Sequence, residues 1–264
     1  MSSSKSTLNS PAVQCRHFNG YKPCSYLQKK YNSQTPQEAS LTRSSSVYCH
    51  LQCPQYSAIH ESILIIHLGA LGAVVRSTAL LKQIKERHPY SYLTWVTSSR
   101  AAELLKNISI IDQVVVDDEN QLKKLRSFVF DTAYVIDKGL EAAGILNSLH
   151  VRNKLGFGVH PLNGAVIPLN AGATEMWEIG LDDHKKFTLN QKTENQLIWE
   201  SLELGEYKKS EYHLQLCPKE KELAAKRHRI YQQNMGQPVI GINTGCSATI
   251  PYKKWTVDYQ RKLI

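Results

Sequence analysis

Residues 63–81 read ILIIHLGALGAVVRSTALL, and this stretch predicts a strand, a loop and a helix in that order. The β-branched, apolar run before His67 is typical of a strand buried on both faces. Gly69 and Gly72 then allow the backbone to turn tightly and to approach a ligand. The following helix would present free N–H groups where open α/β sheets bind ligands. A plain strand-to-helix turn is the alternative, and the stretch is not a dinucleotide fingerprint because the third glycine is missing.

The same alternation of strands and helices continues along the chain. Strands are predicted at 62–68, 92–97, 113–116, 131–136 and 154–158, and helices at 73–88, 100–107, 120–126 and 140–149. Short loops join them, which indicates a parallel sheet with helices on both faces. After a less regular stretch, helices are predicted at 194–204 and 219–234 and a strand at 212–216. A strand at 239–243 and a helix at 257–264 then open a second unit of the same kind.

Three segments differ in composition. Residues 1–60 form a polar arm with six Lys or Arg and one acid, so the arm holds more than half of the net charge of +9. Residues 61–236 are predicted to form a Rossmann-like domain, and residues 237–264 to begin a second, incomplete one. No apolar run approaches the ~20 residues of a membrane span. The N-terminus lacks the apolar core of a secretory signal, so we predict a cytoplasmic protein.

Four cysteines lie in the arm, at Cys15, Cys24, Cys49 and Cys53. Four thiolates can hold a structural zinc or an iron, which would also order a polar segment. The spacings are looser than those of CxxC pairs, so free cysteines in an irregular arm are the alternative. The basic arm also allows metal-dependent nucleic-acid binding, but no nucleic-acid-binding motif occurs. We therefore predict no nucleic-acid partner.

A second loop of small residues follows the predicted strand at 239–243, in the stretch GINTGCSATIPYKKW (241–255). Such a loop can present backbone N–H groups and hydroxyls to a phosphate, and lysines after it can offset the charge of a leaving diphosphate. The candidates for this role are Thr244, Gly245, Ser247, Lys253 and Lys254. The alternative is a solvated lysine pair after a turn.

The two loops carry a resemblance that three further stretches extend: VIDKGLEAAGIL (135–146), KLGFGV (154–159) and EMWEIGLDDHKKF (175–187). Together they resemble glycosyltransferase family 9, the heptosyltransferase-like enzymes of lipopolysaccharide biosynthesis, in register over roughly residues 61–264. The resemblance implies a GT-B fold, in which one Rossmann-like domain receives the acceptor and a second binds a nucleotide sugar such as ADP-heptose. It implies inverting transfer to a lipopolysaccharide core or related glycolipid, without a cofactor and with peripheral contact at the inner face of the cytoplasmic membrane.

One position departs from the family's pattern. Heptosyltransferases usually have Gly-Asp where this chain has Gly72-Ala73, and the resemblance makes that aspartate the expected general base. His67 and Asp137 are the nearest replacements, because both follow parallel strands at the same edge of the sheet. A core histidine and a helix cap are the alternative roles. The residues expected to face the acceptor are Gly69, Gly72, Arg76 and Lys138.

The second departure concerns the donor side. The family's later donor-binding segment, with its glycine-rich turn, does not occur in these 264 residues. Together with Ala73, this makes a catalytically inactive, truncated remnant or a binding module the alternative to an active transferase.

Overall fold

The first strand is buried on both faces, which its sequence predicts. The computed structural model describes residues 11–20, 24, 26, 53–232, 241–243, 245 and 254–263. In strand β1 (Glu61–Ile66), Ile63 and Ile65 enter one hydrophobic cluster, whereas Leu64 and Ile66 enter the cluster on the opposite face. Successive side chains of a strand point to opposite faces, so the continuous apolar run serves both clusters.

Six strands form a single sheet in the order β3-β2-β1-β4-β5-β6. After β1 they are β2 (Ser91–Thr97), β3 (Gln113–Val116), β4 (Val129–Val135), β5 (His150–Val159) and β6 (Val166–Pro168). Strands β1 to β5 are parallel, and β6 pairs with β5 in the antiparallel direction. The predicted α/β fold with a parallel Rossmann-like sheet is therefore confirmed, with one antiparallel strand added at its edge.

Seven helices of the described chain accompany the sheet up to residue 215. They are α1 (Leu71–Ser77), α2 (Leu81–Arg87), α3 (Ser99–Leu105), α4 (Glu119–Leu125), α5 (Leu140–Asn147), α6 (Thr174–Leu181) and α7 (Glu194–Ser201). The prediction of one helix over 73–88 is wrong in detail, because a 3₁₀ turn at Thr78–Leu80 separates α1 from α2. At the junction, the hydroxyl of Ser77 donates to the Val74 carbonyl, and that of Thr78 to the Val75 carbonyl. Such bonds from a side chain to the preceding turn bend helices.

Two other stretches differ from their predictions. The strand predicted at 212–216 does not form, and residues 209–217 have no regular structure. The less regular stretch before the helix predicted at 194–204, residues 160–190, contains β6, α6 and a short π-helix at Lys185–Leu189. The indole Nε1 of Trp177 donates to the carbonyl of Val166 across 2.7 Å and so ties α6 to β6. Strand β6 is short and pairs back onto β5 as a hairpin, so its sequence shows no run of alternating residues.

The chain divides by its internal contacts into residues 1–215 and residues 216–264. The second unit contains α8 (Pro218–Gln232) and α9 (Val257–Leu263). The domain boundary predicted at 236–237 stays a prediction, because residues 233–240 lie outside the described part. The strand predicted at 239–243 also lies partly outside it, and residues 241–243 have no regular structure.

The described part of the N-terminal arm packs near the start of β2. Its 3₁₀ turn at Pro11–Gln14 leads to Cys15, whose backbone bridges to Ala58. The guanidinium of Arg16 then pairs with Asp112 and donates to the carbonyl of Ser91 across 2.8 Å. The ion pair and the hydrogen bonds to the backbone hold this part of the arm against the sheet. None of the described helices combines the length and the apolar character that crossing a bilayer requires.

Candidate functional site

The candidate site lies at the carboxyl ends of β1 and β4. These strands are neighbours in the sheet, although β2 and β3 come between them in the chain. The chain order reverses here, since β2 lies on one side of β1 and β4 on the other. Open α/β sheets bind their ligands in the crevice at such a switch point. His67 directly follows β1, and Asp137 comes two residues after β4, so the sheet brings these predicted residues together.

Asp137 holds the loop that follows β1. Its Oδ2 accepts a hydrogen bond from the backbone N–H of Leu68, and its carboxylate also accepts from the N–H of Gly69. Burial raises the pKa of Asp137 above its ordinary value, and the two N–H donors oppose this shift because they favour the ionised form. The carboxylate is a stronger base than an exposed aspartate, and it is fixed in place.

His67 is almost fully buried, with 3% of its surface exposed. Its Nδ1 lies 2.7 Å from the hydroxyl oxygen of Ser77, which donates its own hydrogen to the Val74 carbonyl across 2.8 Å. We therefore assign Ser77 as the acceptor of this bond, which places the proton on Nδ1 and leaves a lone pair on Nε2. Burial lowers the pKa of His67 to about 4, while Glu194 raises it and Arg76 lowers it further. The ring is neutral near pH 7.

Gly69 packs closely against these two groups. The His67 Nε2 and the Asp137 Oδ1 are 3.9 Å apart. A Cβ added to Gly69 would lie 3.1 Å from each of these atoms, which is tighter than an ordinary contact, so this loop position favours a residue without a side chain. The ring nitrogen and the carboxylate oxygen are two neighbouring groups that can accept a proton or a hydrogen bond. Ala73 lies in α1 and offers no acceptor in its side chain.

The predicted acceptor-facing residues gather around the same edge. The guanidinium of Arg76 pairs with Glu194 across 2.5 Å, and its Nη1 lies 3.7 Å from the position of a Cβ on Gly72. Lys138 donates to the carbonyl of Met176 across 3.3 Å. Burial lowers the pKa of Lys138, the charge of the nearby Lys186 lowers it further, and Glu194 opposes this shift. The arrangement therefore mixes both signs of charge.

Sequence reasoning missed two functional neighbours in this arrangement. Ser77, which sets the tautomer of His67, follows it by ten residues and has the appearance of an ordinary helix serine. Glu194 pairs with Arg76 across 118 positions of sequence, and no local pattern indicates that pairing. Only the packing of α7 beside α1 could reveal it.

The predicted donor-phosphate residues belong to the second unit. Thr244, Ser247 and Lys253 lie outside the described residues. Gly245 donates its backbone N–H to the Oδ1 of Asn243 across 3.1 Å, and Lys254 is exposed. Their predicted role in binding phosphate stays a prediction.

The predicted metal ligands are partly described. Cys15 and Cys24 are buried, Cys53 is half-buried, and all three are free thiols. Cys49 lies outside the described residues. Within the described residues, no group of three or more His, Cys, Asp or Glu is arranged to hold a metal. The predicted zinc or iron site stays a prediction.

The comparisons with known proteins agree with the fold. No protein-family model matches the sequence. A crystal structure described as the glycosyl transferase family 9 from Veillonella parvula DSM 2008 superposes with a TM-score of 0.54 at 16% identity, over 78% of this chain and 60% of that one. The chain resembles the glycosyltransferases of family 9. Its GT-B-type α/β fold is thereby confirmed.

Two further relatives of the family 9 type are similar to this chain. The lipopolysaccharide core heptosyltransferase OpsX of Haemophilus influenzae is 24% identical over 112 residues, which are 40% of this chain and 32% of the relative. The E. coli ADP-heptose lps heptosyltransferase II has a TM-score of 0.49 at 16% identity, over 76% of this chain and 60% of that one. The chain thus spans less than two thirds of the length of each of these relatives.

Proposed function

We propose that this chain supplies the acceptor side of a family 9 type glycosyltransferase. The enzyme transfers a heptose-like sugar from a nucleotide sugar to a lipopolysaccharide core or a related glycan. The observation that carries the proposal is the pair of proton acceptors, His67 and Asp137, which lie together at the carboxyl ends of β1 and β4. The lipopolysaccharide core heptosyltransferase OpsX, to which the chain is similar, supplies the reaction class. We place the reaction in the cytoplasm, at the inner face of the cytoplasmic membrane, as the resemblance implies.

The two proton-accepting side chains, His67 and Asp137, have different roles in the proposed reaction. Burial strengthens Asp137 as a base because it raises the pKa of that carboxyl, whereas burial weakens His67 as a base and keeps it neutral. We therefore propose that the Asp137 Oδ1 takes the proton from the hydroxyl of the acceptor sugar. The neutral Nε2 of His67, 3.9 Å from that oxygen, accepts a hydrogen bond and orients the incoming group.

The bond changes follow from a single displacement. The acceptor oxygen forms a bond to the anomeric carbon from the face opposite the diphosphate, and its proton passes to Asp137. The bond from that carbon to the diphosphate oxygen breaks, and the nucleoside diphosphate leaves with the electron pair. We propose that the second unit binds the leaving group through its small-residue loop and lysines. These residues are Thr244, Gly245, Ser247, Lys253 and Lys254.

The test measures transfer from ADP-heptose to a lipopolysaccharide-core acceptor by the full chain, with the product detected by mass spectrometry. We expect Asp137→Asn to lower the rate about a hundredfold or more, because the amide keeps an oxygen for the Leu68 N–H but cannot take the proton. The matched control is Asp131→Asn. Asp131 lies in β4 and accepts from the backbone N–H of Ser62 across 2.9 Å, at the end of the sheet opposite Asp137. Equal rates for wild type and Asp137→Asn would refute the assignment of the base.

The second candidate function is a binding module that retains the acceptor surface without transfer. Ala73 favours it, because an alanine stands where the family's usual aspartate is expected to act as base. Saturable binding of the acceptor glycan without detectable turnover of ADP-heptose would support the module. Clear turnover by the chain with Ala73 in place would exclude it.

A further inference from the structure

A groove of about 620 Å³ lies beside the candidate site in the first unit. Its walls are the last turn of α1 at Arg76, the start of α7 at Thr193–Asn195, and residues 207–212. The groove lies near His67, because two of its lining residues, Arg76 and Glu194, act electrostatically on that ring. It is therefore within reach of a glycan bound at the candidate site.

The wall at 207–212 is held at both ends. Tyr207 packs edge-on against Trp199, with 5.7 Å between ring centroids, and the indole of Trp199 donates to the Gly205 carbonyl across 3.0 Å. At the other end, the backbone N–H of His213 donates to the hydroxyl of Thr78 across 2.9 Å. Preformed walls lower the entropy cost of binding, as is usual in small-molecule sites.

The charges that line the groove balance. Arg76 and Lys209 are cationic, whereas Glu194 and Glu211 are anionic. Arg76 and Glu194 also pair directly across 2.5 Å. An excess of positive charge favours the binding of an anion, and the side chains of this groove have none. Its charged groups instead offer both donors and acceptors to a neutral polar ligand.

Two tyrosines and one amide complete the lining. Tyr207 is partly buried, and Tyr212 is 53% exposed, so both can offer an apolar ring face together with a hydroxyl. The Asn195 amide donates from Nδ2 to the carbonyl of Arg76 across 3.4 Å, while its Oδ1 is buried without a partner among the described residues.

We propose that this groove binds neutral sugar units of the acceptor glycan, next to the sugar that receives the transferred residue. A pyranose has apolar faces that pack on tyrosine rings and hydroxyls that both donate and accept hydrogen bonds. The groove offers both features and no net charge. This inference rests on the proposed function, since it extends the same acceptor site.

The test is isothermal titration of the full chain with a neutral heptose oligosaccharide that carries neither phosphate nor a sugar acid. We expect saturable binding by wild type and a Kd about fivefold or more higher for Tyr212→Ala, because that change removes an aromatic face. The matched control is Tyr90→Ala. Tyr90 is 56% exposed, comparable to Tyr212, but it lies at the start of β2 and packs against His60. The control should bind as wild type does.

Several outcomes would overturn the groove assignment: no saturable binding by wild type, equal affinity for Tyr212→Ala, or displacement of the glycan by inorganic phosphate. Because the readout is binding, the two proposals can fail separately. Glycan binding that depends on Tyr212, without sugar transfer, would support the groove assignment and contradict the proposed transferase activity. Sugar transfer together with glycan binding that does not depend on Tyr212 would support the transferase activity and contradict the groove assignment.

Discussion

The Nδ1 of His67 lies 2.7 Å from the hydroxyl oxygen of Ser77. We assign the proton of this bond to Nδ1, because the serine hydroxyl donates to the Val74 carbonyl across 2.8 Å. The other ring nitrogen then faces Asp137 as an acceptor. Ser77 on α1 thereby determines which ring nitrogen of His67 can accept a hydrogen bond at the edge of the sheet.

Replacing Ser77 with alanine should leave the buried Nδ1–H of His67 without an acceptor. We expect the free energy of unfolding, measured by urea denaturation, to fall by about 1–3 kcal/mol. The matched control is Ser201→Ala, because that buried hydroxyl donates only to the Ile198 carbonyl, across 2.8 Å. Ser201→Ala removes a hydroxyl donor but leaves no buried ring N–H without an acceptor. The free energy of unfolding should therefore fall less in this control. Equal losses in the two variants would contradict the assigned tautomer.

The lowered pKa of His67 predicts a pH dependence of stability. The unfolded ring takes up a proton near pH 6.5, whereas the folded ring takes it up only near pH 4. Between these values the unfolded chain binds more protons, so stability falls as pH decreases through this window. The contribution amounts to about 3 kcal/mol over the window. The raised pKa of Asp137 has the opposite effect on stability. At pH values just above the ordinary pKa of an aspartate, the folded chain binds more protons than the unfolded one, so stability rises there as pH decreases.

The measurement compares wild type with His67→Gln by urea denaturation from pH 4 to pH 7. Glutamine does not titrate, so the difference between the two curves isolates the histidine. A wild-type curve no steeper than that of the variant would contradict a depressed pKa. An NMR titration of the ring provides the direct check.

The close packing around Gly69 predicts that even one methyl group disturbs the site. A Cβ there would lie 3.1 Å from both the His67 Nε2 and the Asp137 Oδ1, and neither group moves freely. We expect Gly69→Ala to lower the free energy of unfolding by about 1–2 kcal/mol. Gly144→Ala is the control, because nothing lies within 4 Å of a Cβ at that exposed position in α5. That change should add about 0.5–1 kcal/mol instead.

Gly156 lies where β5 runs beside β4, and no other residue fits there. Its φ is +101°, and an added Cβ would lie 1.9 Å from the carbonyl oxygen of Val135, its register partner. We expect Gly156→Ala to cost more than about 4 kcal/mol or to prevent folding. Gly205, with a φ of +91° and open space around its Cβ position, is the control.

Gly205→Ala should cost only the backbone strain, about 1–2 kcal/mol. Thermal unfolding followed by circular dichroism ranks the two variants. A Gly156→Ala chain as stable as Gly205→Ala would show that the strands can separate locally without cost.

Much of the site could be predicted from the sequence, because local rules govern the ends of strands. His67 follows a β-branched run, and Asp137 follows another, so parallel pairing places both at one edge of the sheet. The bend at Ser77 and Thr78 was not predicted, because the helical pattern of apolar residues continues through it. The bend comes from the hydrogen bonds that the two hydroxyls donate to the preceding turn.

The sequence by itself determined the class of fold. Buried apolar runs alternate with amphipathic helices, and short chain segments encode that periodicity directly. Only the tertiary structure decided that β4 lies beside β1, which sets His67 and Asp137 3.9 Å apart. It also decided that Glu194 meets Arg76 and that residues 207–212 close a groove beside them. Strand order and such distant contacts depend on how the whole core packs, and no short stretch of sequence carries that information.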